Sequence, residues 1–278
     1  MNIYNFSTLR KFFLPILLKY NRDISIKHHW LANEEIKYQK IKLNLFKHKG
    51  YWYHGKRREH KSMILFQELI QTNSTVIEVG GHIGYISLYF NKLVGSNGKV
   101  IVFEPGTNNM PYIEKNVYGC SQITLIKKAI GDKIGVIEFY EDNLTGQNNS
   151  IVKDFNGLIA NAKNAFVPTE INKVIAEMTT LDFEFLHTKV DFIKIDIEGG
   201  EWAAICGAAN LIKLQQPAIM IEIQANENEI YNLLISSNYI LFNESREIIT
   251  TPNQLKGNTF CLHKERHLKL ITKLFPNL

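Results

Sequence analysis

The chain is poor in cysteine and tryptophan and has no long apolar run. Its three cysteines, Cys120, Cys206 and Cys261, are far apart and form no C-x-x-C pair. Neither a disulfide framework nor a zinc site is therefore indicated, and a reducing, cytoplasmic location is expected. No stretch approaches the roughly 20 apolar residues of a membrane-spanning helix. The G-x-G-x-x-G turn of dinucleotide-binding folds is also missing. What remains is ordinary for a globular protein: 278 residues, 45% hydrophobic and 21% charged, enough for one large core or for a domain with an extension.

The charge is unevenly spread. Residues 1–62 carry 14 Lys and Arg against 4 Asp and Glu, a net of +10, and the rest carries 18 against 23, a net of −5. A basic helical extension (1–62) is expected ahead of a slightly acidic domain (63–264) and a short basic tail helix (265–278). Within the extension, Phe12–Leu18 is apolar and flanked by Arg10, Lys11 and Lys19. It either packs on the domain with a solvated basic face or lies on an anionic membrane surface through residues 1–20. Tyr51–Lys61 (YWYHGKRREHK) is the densest basic and aromatic patch. It suits a substrate or phosphate contact, or else a solvated helix start before an apolar-faced helix at Ser62–Gln71.

The organising stretch is Thr75–Tyr89, TVIEVGGHIGYISLY. Val76, Ile77 and Val79 read as a buried strand of a parallel sheet. Gly80, Gly81 and Gly84 make a turn, and a helix begins at Tyr85, with its N-terminal amides facing the same space. Open α/β folds bind nucleotides at such a turn. Glu78, two residues before the first glycine, repels a pyrophosphate but can accept hydrogen bonds from a cationic amino-acid ligand. The pattern resembles motif I of class I S-adenosylmethionine (SAM) methyltransferases.

Downstream, Lys99–Phe103 reads as a strand ending in Glu104-Pro105, 20 residues after Gly84. That is the expected interval for an acid that accepts from ribose hydroxyls. A helix is expected near Asn108–Tyr118. A strand at Ile123–Ile130 would place Ala129 beside the adenine, and an extra strand is expected at Gly135–Glu141. The polar segment 142–172 reads as a substrate-side insertion or a mobile loop. Val190–Trp202, VDFIKIDIEGGEW, reads as another buried strand ending in Asp196 and Glu198, then a helix over Glu201–Leu214. These two acids are expected to have different roles. Pro217–Gln224, Tyr239–Phe242 and Thr259–His263 complete the strands, the last two as an antiparallel pair. Asp196 and Glu222 end adjacent strands and could share a divalent cation. With no clear third ligand that is the lesser alternative, and no metal is expected.

The motifs E-x-G-x-x-x-G (Glu78–Gly84), F-E-P (Phe103–Pro105), L-D (Leu181–Asp182) and K-I-D-I-E-G (Lys194–Gly199) follow in one order. Together they resemble the FkbM-type SAM-dependent methyltransferases over about Thr75–Glu222. The resemblance implies a Rossmann-like class I α/β fold, mostly parallel with its last strand antiparallel, and SAM as cofactor. It implies O-methylation of a hydroxyl on a sugar, glycan, glycolipid or natural product. Gly80 and Gly84 would line the methionine part of SAM and Glu104 would bind its ribose, with Glu78, Gly81, His82, Pro105, Ala129 and Asp196 completing the cofactor site. Asp196 and Glu198 would stand at the transfer centre, the candidate bases being Asp196, Glu198 and His82 in that order. The family commonly has Asp where Glu78 stands and Asn where His82 stands. His82 titrates near neutrality when unperturbed, so it is a candidate base or a packing and hydrogen-bonding residue. A nucleic-acid methyltransferase is the alternative, favoured by the basic N-terminal segment, but the chain lacks the N/D-P-P-Y/F signature of amino-group methylators. A non-catalytic binding module is the third reading.

Overall fold

The computed structural model describes residues 16–31, 40–142, 146–147, 149–151 and 171–276. The segments expected at Phe12–Leu18 (apart from residues 16–18) and over most of 142–172 lie outside the described residues.

In chain order the strands are β1 (Asp23–Lys27), β2 (Lys40–Asn44), β3 (Thr75–Val79), β4 (Lys99–Phe103), β5 (Ile123–Ile126), β6 (Ala129–Ile130) and β7 (Gly135–Asp142). They continue as β8 (Ile171–Thr179), β9 (Phe192–Ile195), β10 (Ala218–Ile223), β11 (Tyr239–Asn243), β12 (Ile248–Ile249) and β13 (Gly257–His263). Eight of them form one sheet in the order β12-β11-β13-β10-β9-β3-β4-β5. β10, β9, β3, β4 and β5 are mutually parallel. β13 runs antiparallel between β10 and β11. This is the Rossmann-like class I methyltransferase sheet that the motifs imply.

The central strands are apolar on both faces because helices cover both. Alternate residues divide between two cores, as the two-residue period of a strand requires. Val76, Val100, Val102, Phe192 and Met220 face one core, with the helices His60–Leu69, Tyr85–Val94 and Leu268–Leu274. Ile77, Val79, Ile101, Phe103, Ile193, Ile195 and Ile221 face the other, with the helices Glu201–Cys206, Ala209–Gln215 and Glu227–Ser236.

Four sequence expectations change. First, the described part of the N-terminal segment is a β-hairpin rather than a helical extension. β1 and β2 pair antiparallel, as the alternation in DISIK and KIKLN favours, and only a short helix follows at Lys49–His54. Leu31, Ile41, Leu43 and Tyr51 join the first core. The Asn116 side chain joins the hairpin to the turn: its Nδ2 donates to the Lys42 and Ile83 carbonyls at 2.9 and 2.7 Å, and its Oδ1 accepts from the Lys42 amide at 2.6 Å. The expected boundary at 62/63 falls inside the helix His60–Leu69.

Second, the strand expected at Ile123–Ile130 is two strands. β5 leaves the main sheet at Ile126, and Ala129 pairs with Met178 in a separate three-stranded sheet, β6-β8-β7. Third, the helix expected over Glu201–Leu214 breaks at Gly207. A Cβ there would lie 1.9 Å from the Gly131 carbonyl oxygen. Asp182 of the L-D motif caps the second half, accepting from the amides of Asn210 and Leu211 at 3.1 and 2.7 Å. Fourth, β9 stops at Ile195, so Asp196 and Glu198 lie in the turn beyond the strand rather than on it.

Phe66 is fully buried where its helix meets the sheet, its ring 5.0 Å from Phe90, 5.8 Å from Phe192 and 5.9 Å from Phe260, centroid to centroid. Phe66→Ala is expected to cost about 3–5 kcal/mol in chemical denaturation. A loss below about 1 kcal/mol would show that this helix is not part of the cooperative core.

Candidate active site

The two-residue period that fills the cores also places the chemistry. Glu78 follows Val76, Lys194 follows Phe192, and Glu222 follows Met220 on the same face of their strands. Glu78 and Lys194 are register partners on β3 and β9. Carried to the carboxyl ends of the strands, this face opens into a cavity of about 330 Å3, within the range of small-molecule sites. Glu78, Gly80, Gly81, His82, Glu104, Pro105, Asp196 and Glu198 of the expected site residues line it. Gly84 and Ala129 do not. Gly84 instead begins the helix at Tyr85, and Ala129 lies in the small sheet.

The glycines serve chain packing. A Cβ on Gly80 would lie 2.0 Å from the Asp196 carbonyl oxygen, and one on Gly81 would lie 2.4 Å from Val102 Cγ1. The turn thus wedges between the ends of β9 and β4, and the Gly80 and Gly81 amides both donate to the Phe103 carbonyl, at 2.9 and 3.2 Å. His82 takes a left-handed φ of 48°, uncommon for a residue with a Cβ, and its amide donates to Glu104 Oε2 at 2.7 Å. Its ring Nδ1 is hydrogen-bonded to the Tyr51 hydroxyl at 2.8 Å. Glu104 Oε1 accepts from the Gly106 amide and Asn109 Nδ2 at 2.8 and 3.2 Å. Glu104 therefore organises the turn as well as facing the cavity.

Lys194, named in the sequence only as part of a motif, is the centre of the charge arrangement. It is 1% exposed, and its Nζ donates to Asp196 Oδ2 at 2.8 Å. A buried ammonium requires such a partner. Burial works against the Asp196 carboxylate, but Lys194 outweighs it and, helped by hydrogen bonds, holds its pKa down to about 2. Glu222 answers in the opposite sense: the Asp196 charge, then burial, raise it to about 10, so it keeps its proton and shares it with Asp196. Burial raises Glu78 and Glu104 to about 7, and burial plus the Asp196 charge does the same for Glu198.

Glu198 also departs from expectation in position. Its left-handed φ of 55° brings it back toward Asp196, and Gln224 Nε2 donates to its Oε2. Asp196, Glu198 and Glu222 each offer an oxygen within 4.8 Å of the others. A third carboxylate, Glu198, is therefore near enough for a cation, although Lys194 already places a positive charge at Asp196.

A further part of the cavity wall comes from the N-terminal segment: Tyr51, Arg58 and Glu59. The Arg58 guanidinium lies 4.3 Å from the Tyr51 ring centroid, and its Nε is 3.2 Å from Glu59 Oε1. The basic–aromatic composition of Tyr51–Lys61 was the signal for this wall. Gly146, Gln147 and Asn149 of the long polar segment line the cavity near Asn109.

The lining suits a cationic cofactor. Six carboxyl groups (Glu59, Glu78, Glu104, Asp196, Glu198, Glu222) face two cations, Arg58 and Lys194. A sulfonium and an ammonium would favour the ionised forms of the carboxyl groups that burial keeps near neutrality. Asn109 Oδ1 is a buried acceptor with no hydrogen-bond partner among the described residues, as a hydroxyl-bearing ligand requires.

Glu78, Glu104 and Glu198 hold their protons to about pH 7 in the folded chain against 4.5 unfolded, and Glu222 holds its proton to about 10. Their stabilising contribution is complete below pH 4.5 and is lost as pH rises through these values. The buried histidines His28 and His267, held down to about 4, act oppositely, but only below about 6.5, where the unfolded imidazole charges. The thermal midpoint of the ligand-free protein is therefore expected to fall from about pH 6.5 to about 9. A flat or rising midpoint over that range, measured by circular dichroism, would contradict the charge arrangement.

A family model described as the methyltransferase FkbM domain matches residues 78–251. Among solved structures, the methyltransferase FkbM of Methylobacillus flagellatus KT is similar over 68% of this chain and 44% of that chain, at 16% identity and TM-score 0.44. This chain thus spans less than half the length of that protein. An rRNA methylase from Streptococcus thermophilus is similar over 73% of this chain and 94% of its own, at 12% identity and TM-score 0.40. Fibrillarin from Aeropyrum pernix, with natively bound S-adenosyl-L-methionine, is similar over 86% and 87%, at 9% identity and TM-score 0.41. A search of curated proteins found no match.

Proposed function

Because the chain belongs to the FkbM methyltransferase family, whose methyl donor is SAM, we propose that it methylates a hydroxyl oxygen of a sugar, glycan or natural product. The observation that supports this most is the convergence of Asp196, Glu198 and Glu222 within 4.8 Å at the ends of β9 and β10. An attacking hydroxyl must lose its proton during transfer, and its own pKa lies far above 7, so a carboxylate base is useful there. An amine brings a free lone pair and has less need of one.

When bound, SAM supplies a methyl carbon on a sulfonium, open to in-line displacement. The residues divide the remaining tasks. Glu78 and Asp196 offer negative charge to the donor's cationic centres, and Asn109 Oδ1 and the rim of Glu104 offer acceptors to its hydroxyls. Lys194 fixes the Asp196 carboxylate. Asp196 itself, tied to Lys194 and held near 2, is a poor base. Glu222 carries a proton. Glu198, poised near 7 and held by a strained backbone, is the better candidate to take the acceptor proton. His82 is engaged with Tyr51 and positions the turn.

Labelled SAM mixed with the protein and either cell glycan or total RNA is expected to label the glycan fraction. Label in RNA alone would replace this reading with nucleic-acid methylation. With the labelled acceptor in hand, Glu198→Gln should lower kcat about 100-fold or more, remove the inflection near pH 7 and leave SAM affinity within a few-fold. Turnover within a few-fold of the parent would sink the assignment of Glu198.

A further inference from the structure

A second cavity, of about 630 Å3, adjoins the first and is lined by Lys56, Arg57, Glu59, His60, Lys61 and Glu244. The two are linked by shared structure. Glu59 lines both, and Asn258, from the first, donates through Nδ2 to Glu244 Oε1 of the second at 3.1 Å.

The charges in this cavity are sorted. The carboxylates are turned to other partners: Glu59 to Arg58 at 3.2 Å, and Glu244 to Asn258 and the Ser62 hydroxyl. The cations are not neutralised in this way. Among the described residues Lys56, Arg57 and Lys61 make no ion pair with a carboxylate. Lys61 donates to Ser245 Oγ at 2.8 Å, and Lys56 lies 4.8 Å from the Trp30 ring centroid. The ten-residue helix His60–Leu69 starts at the same place, with Glu59 as its N-cap residue and no acid in its first turn.

We propose that this cavity is a subsite for a phosphate or pyrophosphate group of the acceptor. Three ammonium or guanidinium heads and a histidine around one recess suit a compact oxyanion with several acceptors. A nucleic-acid strand would want a continuous basic path, whereas the chain beyond residue 62 is net acidic. The acceptor hydroxyl then belongs to a phosphorylated sugar, its phosphate either in a soluble sugar phosphate or in a lipid-linked one. That assignment of the anion rests on the hydroxyl-methylation reading; the anion site itself does not.

The test is calorimetric titration of the full chain with inorganic pyrophosphate and, separately, with SAM. A triple variant, Lys56→Gln, Arg57→Gln and Lys61→Gln, and a charge-keeping variant, Lys56→Arg and Lys61→Arg, are measured in parallel. Pyrophosphate is expected to bind the parent and the charge-keeping variant, and to bind the triple variant about tenfold or more weakly. SAM affinity should stay within a few-fold throughout. Equal pyrophosphate binding by the parent and the triple variant, or none by the parent while SAM binds, overturns the subsite and leaves the methyltransferase reading intact. If the parent fails to bind SAM while pyrophosphate binding follows the charges, the methyl-transfer reading falls and the anion site stands. Phosphatidylglycerol vesicles that sediment the parent but not the triple variant support the lipid-linked source. Pyrophosphate binding without sedimentation supports the soluble one.

Discussion

A lysine ammonium that is 1% exposed inside a sheet sets the terms for everything around it. Lys194 sits on a strand whose other residues, Phe192, Ile193 and Ile195, are apolar and buried. It can be carried only if an anion is fixed beside it, and Asp196 is that anion. With Asp196 held ionised, a second carboxyl nearby cannot also ionise cheaply, so Glu222 retains its proton, and Glu198, raised first by burial and then by the Asp196 charge, is pushed toward neutrality. One ion pair thus yields three carboxyl groups in three different protonation regimes within a few ångströms. That separation is what acid–base chemistry at neutral pH requires.

The placement of these groups follows from strand geometry. Because parallel strands pair in register, Glu78, Lys194 and Glu222 share one face of the sheet, with Val76, Phe192 and Met220 beneath them. The glycine turn supplies close approach: Gly80 and Gly81 let the chain pass between β4 and β9 where a Cβ would meet backbone or Val102. The same turn forces His82 into a left-handed conformation, and Glu104 and Tyr51 hold it there from either side.

Much of this was legible in the sequence because it is local. The turn, the acids at the strand ends and the buried strands are each written within a dozen residues, and their order implied the sheet. What was not legible depends on contacts between distant segments. Tyr51 meets His82 across 31 positions, and Asn116 secures β2 across 74. The position of Glu198 follows from the end of β9 at Ile195 and a left-handed residue three positions on, neither of which strand periodicity carries. The N-terminal hairpin is signalled by the alternation in DISIK and KIKLN, whereas the net charge of the segment does not distinguish strand from helix. Lys194 could have been found by a simple rule: a lysine flanked by isoleucines in a strand read as buried needs a named counter-charge.

The family model matches residues 78–251, and the cavity is only partly built from them. Its glycine turn and carboxylates lie inside that range, but Tyr51, Arg58 and Glu59 precede it and Asn258 follows it. On the proposed function, the shared part would hold the cofactor. A wall that differs in origin is where discrimination between acceptors can arise without disturbing the donor. The charge pattern has the same division: the carboxyl excess is deep, against β3, β9 and β10, while Lys56, Arg57 and Lys61 are at the outer recess. A ligand pair that is cationic at the donor and anionic at the far end of the acceptor would satisfy both regions at once. The same pair bound in reverse would face like charges at each end, so the arrangement favours one orientation of transfer.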